Sequence, residues 1–274
     1  MGPSIRSSPI STPFARIGGI LTIYDSHIHI PGSRGEIFHE TGTRIRRMDE
    51  LVAILDRYGI DKGVIFSTVS TLSKSPEEFI RGNREVKKNL EDYPNRFWGA
   101  CTVHPNFLEK SLEELEVCRN EFGFPWMGEM CPYLGGYSTT SNEMLEVIGR
   151  ASDLGYIVHL HCNNDEVECL ITEFPDTTFV FAHLQSFADC ERRYRLVGSR
   201  KDLYVDISGS EIVRHGILEL ALEIAGPERL LFGSDLIIDN PIPTIARIDD
   251  LDIPRSEKER IFWRNMDDLL KKSK

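Results

Sequence analysis

A chain of 274 residues can bury a sizeable core, and its 41% hydrophobic and 27% charged content is that of a globular protein. A formal net charge of −11 argues against the basic face that nucleic acid or an anionic membrane requires. No window is apolar for long enough to span a bilayer. The six cysteines (Cys101, Cys118, Cys131, Cys162, Cys169 and Cys190) form no CxxC pair, which predicts reduced, mostly buried thiols and a cytoplasmic setting.

Residues 1–18 are rich in Ser, Pro and Arg and read as a flexible arm without the apolar run of a secretory leader. Gly2 has no myristoylation motif behind it, because Arg6 stands where Ser or Thr is needed. The remainder, 19–274, reads as one domain. Its first strand, I-L-T-I-Y-D-S-H-I-H-I over residues 20–30, ends in Asp25, His27 and His29. Strand side chains alternate faces, so these three point the same way and offer two imidazoles, backed by a carboxylate, to one ion.

A helix follows at 48–58, with Leu51, Ile54, Leu55 and Tyr58 at helical spacing and Gly59 as its stop. Strands are then expected at 62–68, 97–103, 126–130, 156–162, 177–184, 203–208 and 230–236. Helices are expected at 76–92, 108–122, 142–154, 165–174, 189–197, 217–225 and 256–270. The second helix opens on Ser75-Pro76-Glu77-Glu78, with Pro at its first position and acids in its first turn. Ser256 with Glu259 reads as a capping box for the last helix. Eight strands alternating with helices over some 250 residues predict the α/β class and a single-domain (β/α)8 TIM barrel. A doubly wound sheet is the competitor, but no Gly-rich phosphate loop follows the first strand, and polar residues collect after nearly every strand.

In such a barrel the site lies at the carboxyl ends of the strands. His27, His29, His104, His159, His161 and His183 all fall at or near strand ends, with Glu129 after the fourth strand and Asp235 after the eighth. Imidazoles and carboxylates converging in this way are the ligand set of a zinc-like ion with an open position. His39 and His215 fall in loops and read as solvated.

D-S-H-I-H, the His161 strand, F-A-H-L at His183 and G-P-E-R-L-L-F-G-S-D together resemble the amidohydrolase superfamily, in particular the amidohydrolase-related (amidohydrolase 2) branch. The resemblance runs from about Tyr24 to Leu270 and includes Asn265 in the last helix. It implies a metal-dependent barrel that hydrolyses amide or ester bonds, with a subset that decarboxylates aromatic acids. By that resemblance His27, His29, Glu129, His161, His183 and Asp235 are metal ligands, and the cofactor is a divalent metal, zinc being expected, as one or two ions. Asp235 and His183 are then the catalytic residues. Asp235 exchanges protons with water acidified by the ion, and His183 polarises the substrate or holds a second ion. Glu129 acts as ligand or bridge. No lysine ends the fourth strand, so a carbamylated-lysine bridge is not expected. His159 lies a layer deeper and reads as a core residue, and Asp25 as a partner that orients ligands.

Substrate contacts are expected from Arg47, one of four arginines after the first strand with Arg34, Arg44 and Arg46, and from His104 and Tyr133. Tyr133 and Tyr137, beside Gly135 and Gly136, are expected to form an aromatic lip. The leading expectation is a hydrolase acting on a small lactone, ester or amide. The alternative is a non-oxidative decarboxylase of a small aromatic acid, and the third a catalytically silent metal- or ligand-binding barrel. The partner is a small-molecule substrate, with neither nucleic acid nor membrane, and the apolar faces of the outer helices permit a homo-oligomer.

Overall fold

The computed structural model of the chain describes residues 22–36, 38 and 44–272. The expected arm at 1–18 and His39 lie outside them. Eight parallel strands follow one another around the sheet in sequence order. They are β1 (Tyr24–Ile30), β2 (Lys62–Ser67), β3 (Phe97–Cys101), β4 (Trp126–Met130), β5 (Ile157–Leu160), β6 (Phe179–Phe181), β7 (Leu203–Asp206) and β8 (Leu230–Leu231). The stretch after β8 brings the sheet back to β1. Ser26 N–H donates to Phe232 O at 2.9 Å, Asp235 N–H to His27 O at 2.9 Å and His29 N–H to Leu236 O at 2.5 Å. The result is the expected (β/α)8 barrel.

Alternation along the strands produces two apolar layers. Val64, Phe66, Ala100, Trp126, Ile157, Val180, Tyr204 and Leu231 pack together inside the barrel, with Met266, Leu269 and Leu270 of the last helix joining them. The residues between them (Ile65, Val158, Leu160, Phe179, Phe181 and Val205) face outward and pack under the helices. The inner layer occupies the barrel's middle and amino end, which leaves the carboxyl ends of the strands to polar side chains.

The helices between strands are α1 (Met48–Tyr58), α2 (Thr68–Thr71), α3 (Pro76–Asp92), α4 (Leu108–Asn120), α5 (Pro132–Gly135), α6 (Asn142–Asp153), α7 (Asn164–Glu173), α8 (Cys190–Gly198) and α9 (Ile217–Ala225). After β8 come α10 (Pro241–Asp250), α11 (Arg255–Glu259), a π-helical turn at Arg260–Arg264 and α12 (Asn265–Lys272). The capping box expected at Ser256 does not form. The helix starts one residue earlier behind Pro254, and Glu259 pairs with Arg255 and Arg264. Asn265 ties this helix to the barrel, its side-chain amide donating to Pro227 O at 2.7 Å and Leu230 O at 2.9 Å. Among the described residues no helix is long and apolar enough to cross a membrane.

Candidate active site

The carboxyl half of β1 turns His27 and His29 toward Phe66 of the inner layer, and a register shift separates them from Asp25; all three are buried. Asp25 fixes the strand rather than reaching the cavity. Its Oδ1 accepts the His27 and Ser234 backbone N–H groups, both at 3.0 Å, and so locks β1 to the β8 loop. Burial pushes its carboxyl up to about 7, against the lowering effect of those bonds.

Four donor atoms meet above it. His27 Nε2 and His29 Nε2 are 3.1 Å apart. Glu129 Oε2 lies 3.2 Å from the first and 3.5 Å from the second. Asp235 Oδ1 lies 3.5 Å from His27 Nε2 and 3.2 Å from His29 Nε2. Ligands held about 2.0–2.2 Å from one ion stand about 3.0–3.5 Å from each other, so these five distances have the range of a coordination shell, and His27, His29 and Asp235 bring one ligand atom each within 4.8 Å of one another. Their hydrogen bonding agrees. Asp235 Oδ1 is buried without a hydrogen-bond partner, and a buried carboxylate oxygen without a donor is costly unless a cation faces it. The residues present fit a divalent ion.

The electrostatics favour positive charge at this point. Burial opposes ionisation of Glu129, yet His27, His161 and His29 hold its carboxyl well below the usual range. Burial likewise opposes protonation of His27, but Glu129, Asp235 and Asp206 raise it well above the ordinary imidazole value. His29 is raised against burial by Asp235 and Glu129. Cys131 donates its thiol to Glu129 Oε2 at 3.1 Å, and burial with that neighbouring carboxylate pushes the thiol well up.

Glu129 also joins a second group. Its Oε1 lies 3.4 Å from His161 Nδ1, and Glu129, His161 and His183 bring one ligand atom each within 4.8 Å of one another. His161 therefore stands beside Glu129 rather than among the four inner donors, and it is partly exposed. Backbone geometry positions several of these groups. Gly128 has φ 120°, and a Cβ there would strike His159 O, so only glycine lets β4 present Glu129. His183 and Asp235 take left-handed φ values of 66° and 55°, as do Asn95 and Gln185, a conformation uncommon for residues with a Cβ.

The donors form the floor of a cavity of about 530 Å³ lined by His29, Phe38, Leu72, Glu129, Cys131, Tyr133, Leu134, His183, Asp235, Ile238 and Asp239. A polar recess of about 320 Å³ adjoins it, sharing His183, Asp235 and Asp239 and adding His161 and Glu211. Burial and Asp235 together push the Asp239 carboxyl up. Tyr133 stands at the rim with its ring edge-on to His161, centroids 4.9 Å apart.

Two of the residues expected at the substrate, Arg47 and His104, are not among the described residues that line the cavity. Arg47 sits exposed at the start of α1, paired with Asp49 at 2.8 Å and Glu50 at 3.2 Å, and does not line the cavity. The imidazole of His104 is used inside the protein. Its Nε2 donates to Gly135 O at 3.1 Å, and its Nδ1 accepts from Asn106 N–H at 3.3 Å. That bond supports α5, which carries Tyr133. Tyr137 packs against His104 instead of joining a lip. His215 is exposed in the turn before α9.

The sequence reading passed over Asp206 and Ser208 at the end of β7. His159, fully buried, meets Asp206 Oδ2 at 2.9 Å, and the same oxygen lies 3.4 Å from His27 Nδ1. Ser208 Oγ is 2.9 Å from His183 Nδ1 and 3.3 Å from His27 Nδ1. The signal was available, since Asp206 and Ser208 share the two-residue spacing that marks His27 and His29.

The fold is shared with known proteins. The structure is similar to that of 2,6-dihydroxybenzoate decarboxylase from Rhizobium, with 14% identity, coverage of 93% of this chain and 100% of that one, and a TM-score of 0.72. It is similar to dihydroxybenzoic acid decarboxylase from Polaromonas sp. JS666, solved with manganese and 2-nitroresorcinol, at 15% identity, 93% and 98% coverage and a TM-score of 0.74. It is also similar to 5-carboxyvanillate decarboxylase from Novosphingobium aromaticivorans, complexed with manganese and 4-hydroxy-3-methoxy-5-nitrobenzoic acid, at 15% identity, 91% and 96% coverage and a TM-score of 0.73. At these identities the likeness is one of fold. No curated protein sequence matches the chain. The model of the amidohydrolase family (Amidohydro_2) matches residues 24–271, nearly the whole chain. The chain belongs to the amidohydrolase family and is a metal-dependent enzyme of that superfamily.

Proposed function

We propose that the protein is a metal-dependent decarboxylase of small aromatic carboxylic acids. The observation that carries this reading is a floor of ion-binding donors beneath a wall made of Phe38, Leu72, Leu134 and Ile238, with no lysine or arginine among the described lining residues. The named decarboxylases of the same fold, two of them holding manganese and a nitro-substituted phenol, support it.

A divalent ion held by His27, His29, Glu129 and Asp235 would supply the positive charge that binds and polarises an ionised substrate. Two imidazoles and two carboxylates suit zinc or manganese. The apolar wall excludes water from the substrate carboxylate. Loss of carbon dioxide disperses that charge, so a dry cavity favours the reaction over the bound acid. When the bond between ring carbon and carboxylate breaks, its electron pair stays on the ring carbon, and a proton must replace the departing carbon dioxide. Asp235 lines the cavity and is the group assigned to deliver that proton, with His183 beside it in both recesses. Tyr133 would cover the ring at the rim.

Hydrolysis of a lactone, ester or amide is the second reading. It rests on the polar recess shared by His161, His183, Asp235 and Asp239, which has room for water and a leaving group. Protein loaded with manganese or zinc should release carbon dioxide from hydroxybenzoates, and Asp235→Asn should lower the rate by roughly 10²–10⁴-fold. Turnover of lactones or esters with no carbon dioxide released from any aromatic acid would transfer the assignment to hydrolysis.

A further inference from the structure

We infer that Asp206, acting directly and through Ser208, is a positioning residue that sets which nitrogen carries the proton on His27, His159 and His183. The inference concerns the ion site and holds whichever reaction that site performs. Asp206 is fully buried at the end of β7 and faces only donors. Its Oδ1 accepts the Ser208 N–H at 3.0 Å and also the Ser208 hydroxyl. Its Oδ2 accepts from His159 Nε2 at 2.9 Å and lies 3.4 Å from His27 Nδ1.

The proton positions follow by counting. A serine hydroxyl has one hydrogen, and Ser208 gives it to Asp206. Its oxygen can then only accept from His183 Nδ1, 2.9 Å away, so that nitrogen carries hydrogen and Nε2 of the neutral ring is bare. His27 Nδ1 lies between two acceptors, Asp206 Oδ2 at 3.4 Å and Ser208 Oγ at 3.3 Å, and is protonated for the same reason. With an ion bound, the nitrogen left bare is then Nε2, which faces His29, Glu129 and Asp235. His159 takes the opposite form. Its Nε2 gives hydrogen to Asp206, and its bare Nδ1 is left without a partner near the rings of Phe66 and Trp126. A bare nitrogen is the tolerable group to bury there, because an orphaned N–H is rarer than an unpaired acceptor.

The backbone makes room for this relay. A Cβ on Gly233 would lie 2.7 Å from Asp206 Oδ1, and one on Gly209, where φ is 88°, 2.9 Å from His183 Nδ1. Both glycines border the relay.

The test uses zinc-loaded protein labelled with ¹⁵N at histidine. Wild-type two-bond ¹⁵N–¹H spectra should show Nδ1–H at His27 and His183 and Nε2–H at His159. In titration calorimetry, Asp206→Asn should weaken zinc binding by about 10–100-fold. Ser208→Ala should weaken it less while shifting the His183 proton signal. If Asp206→Asn does not fold, the wild-type spectrum and Ser208→Ala still decide. An Nε2–H form at His183 in the wild type overturns the inference. So does zinc affinity in both folded variants equal to that of the wild type.

Discussion

Asp235 and His183 hold backbone conformations that cost roughly 1–3 kcal/mol each for residues with a Cβ. Both residues line the same cavity and the recess beside it. Asn tolerates the left-handed region as well as Asp does. Asp235→Asn should therefore keep the fold, with a melting temperature close to that of the wild type by calorimetry, while activity collapses. A variant that lost activity and unfolded together would show a structural role instead. Arg47 supplies the contrasting case. Its pairing with Asp49 and Glu50 is exposed and local, so Arg47→Ala should leave KM for any accepted substrate within about two-fold. A KM raised ten-fold or more would return Arg47 to the site. Strand-end position revealed the histidines and Asp235 in the sequence, because a ligand must stand where a strand stops. Arginine reach could not be read in this way, since loop conformation decides where a long side chain goes.

At the level of elements, helices with a strong apolar period and a glycine stop were legible, and α1 and α9 lie where the spacing places them. Strands ran shorter than their apolar runs. β6 keeps only Phe179–Phe181 of the run at 177–184, because His183 and Gln185 turn out of the sheet with positive φ. The helix Pro241–Asp250 went unread although Asn240 caps it and Pro241 occupies its first turn. The last helix shows why Ser256 misled: Pro254 already starts the helix, which places Ser256 inside its first turn. Packing between elements yields a prediction at the same scale. A Cβ on Gly99 of β3 would come 2.5 Å from the buried Phe124 ring. Gly99→Ala should destabilise by about 1–3 kcal/mol in denaturant unfolding, through overpacking. Adding Phe124→Leu should recover part of that loss, and strict additivity of the two changes would refute the clash.

For the whole molecule, three of the inner donors come from two strands, β1 and β4, and Asp235 from the loop after β8, so an ion at their centre links β1, β4 and the closing seam of the barrel. Ligand binding to the folded state alone adds about 2.7 kcal/mol at a hundredfold excess over Kd. Chelation should therefore lower the melting temperature by roughly 5 °C or more, and restoring manganese or zinc should reverse the change. An unchanged transition in the presence of chelator would mean that no ion is held there. By itself the sequence determined the architecture, since eight buried runs separated by amphipathic helices have few other ways to bury both faces. It also determined which residue types gather at the strand ends, because alternation on β1 alone aligns His27 with His29. Only the tertiary structure decided the grouping: Glu129 between two sets of histidines, His161 in the outer set, Arg47 and His104 away from the cavity, and Asp206 beneath His27. These relations join residues as many as about two hundred positions apart, and barrel curvature and strand register, not local pattern, bring them within bonding distance.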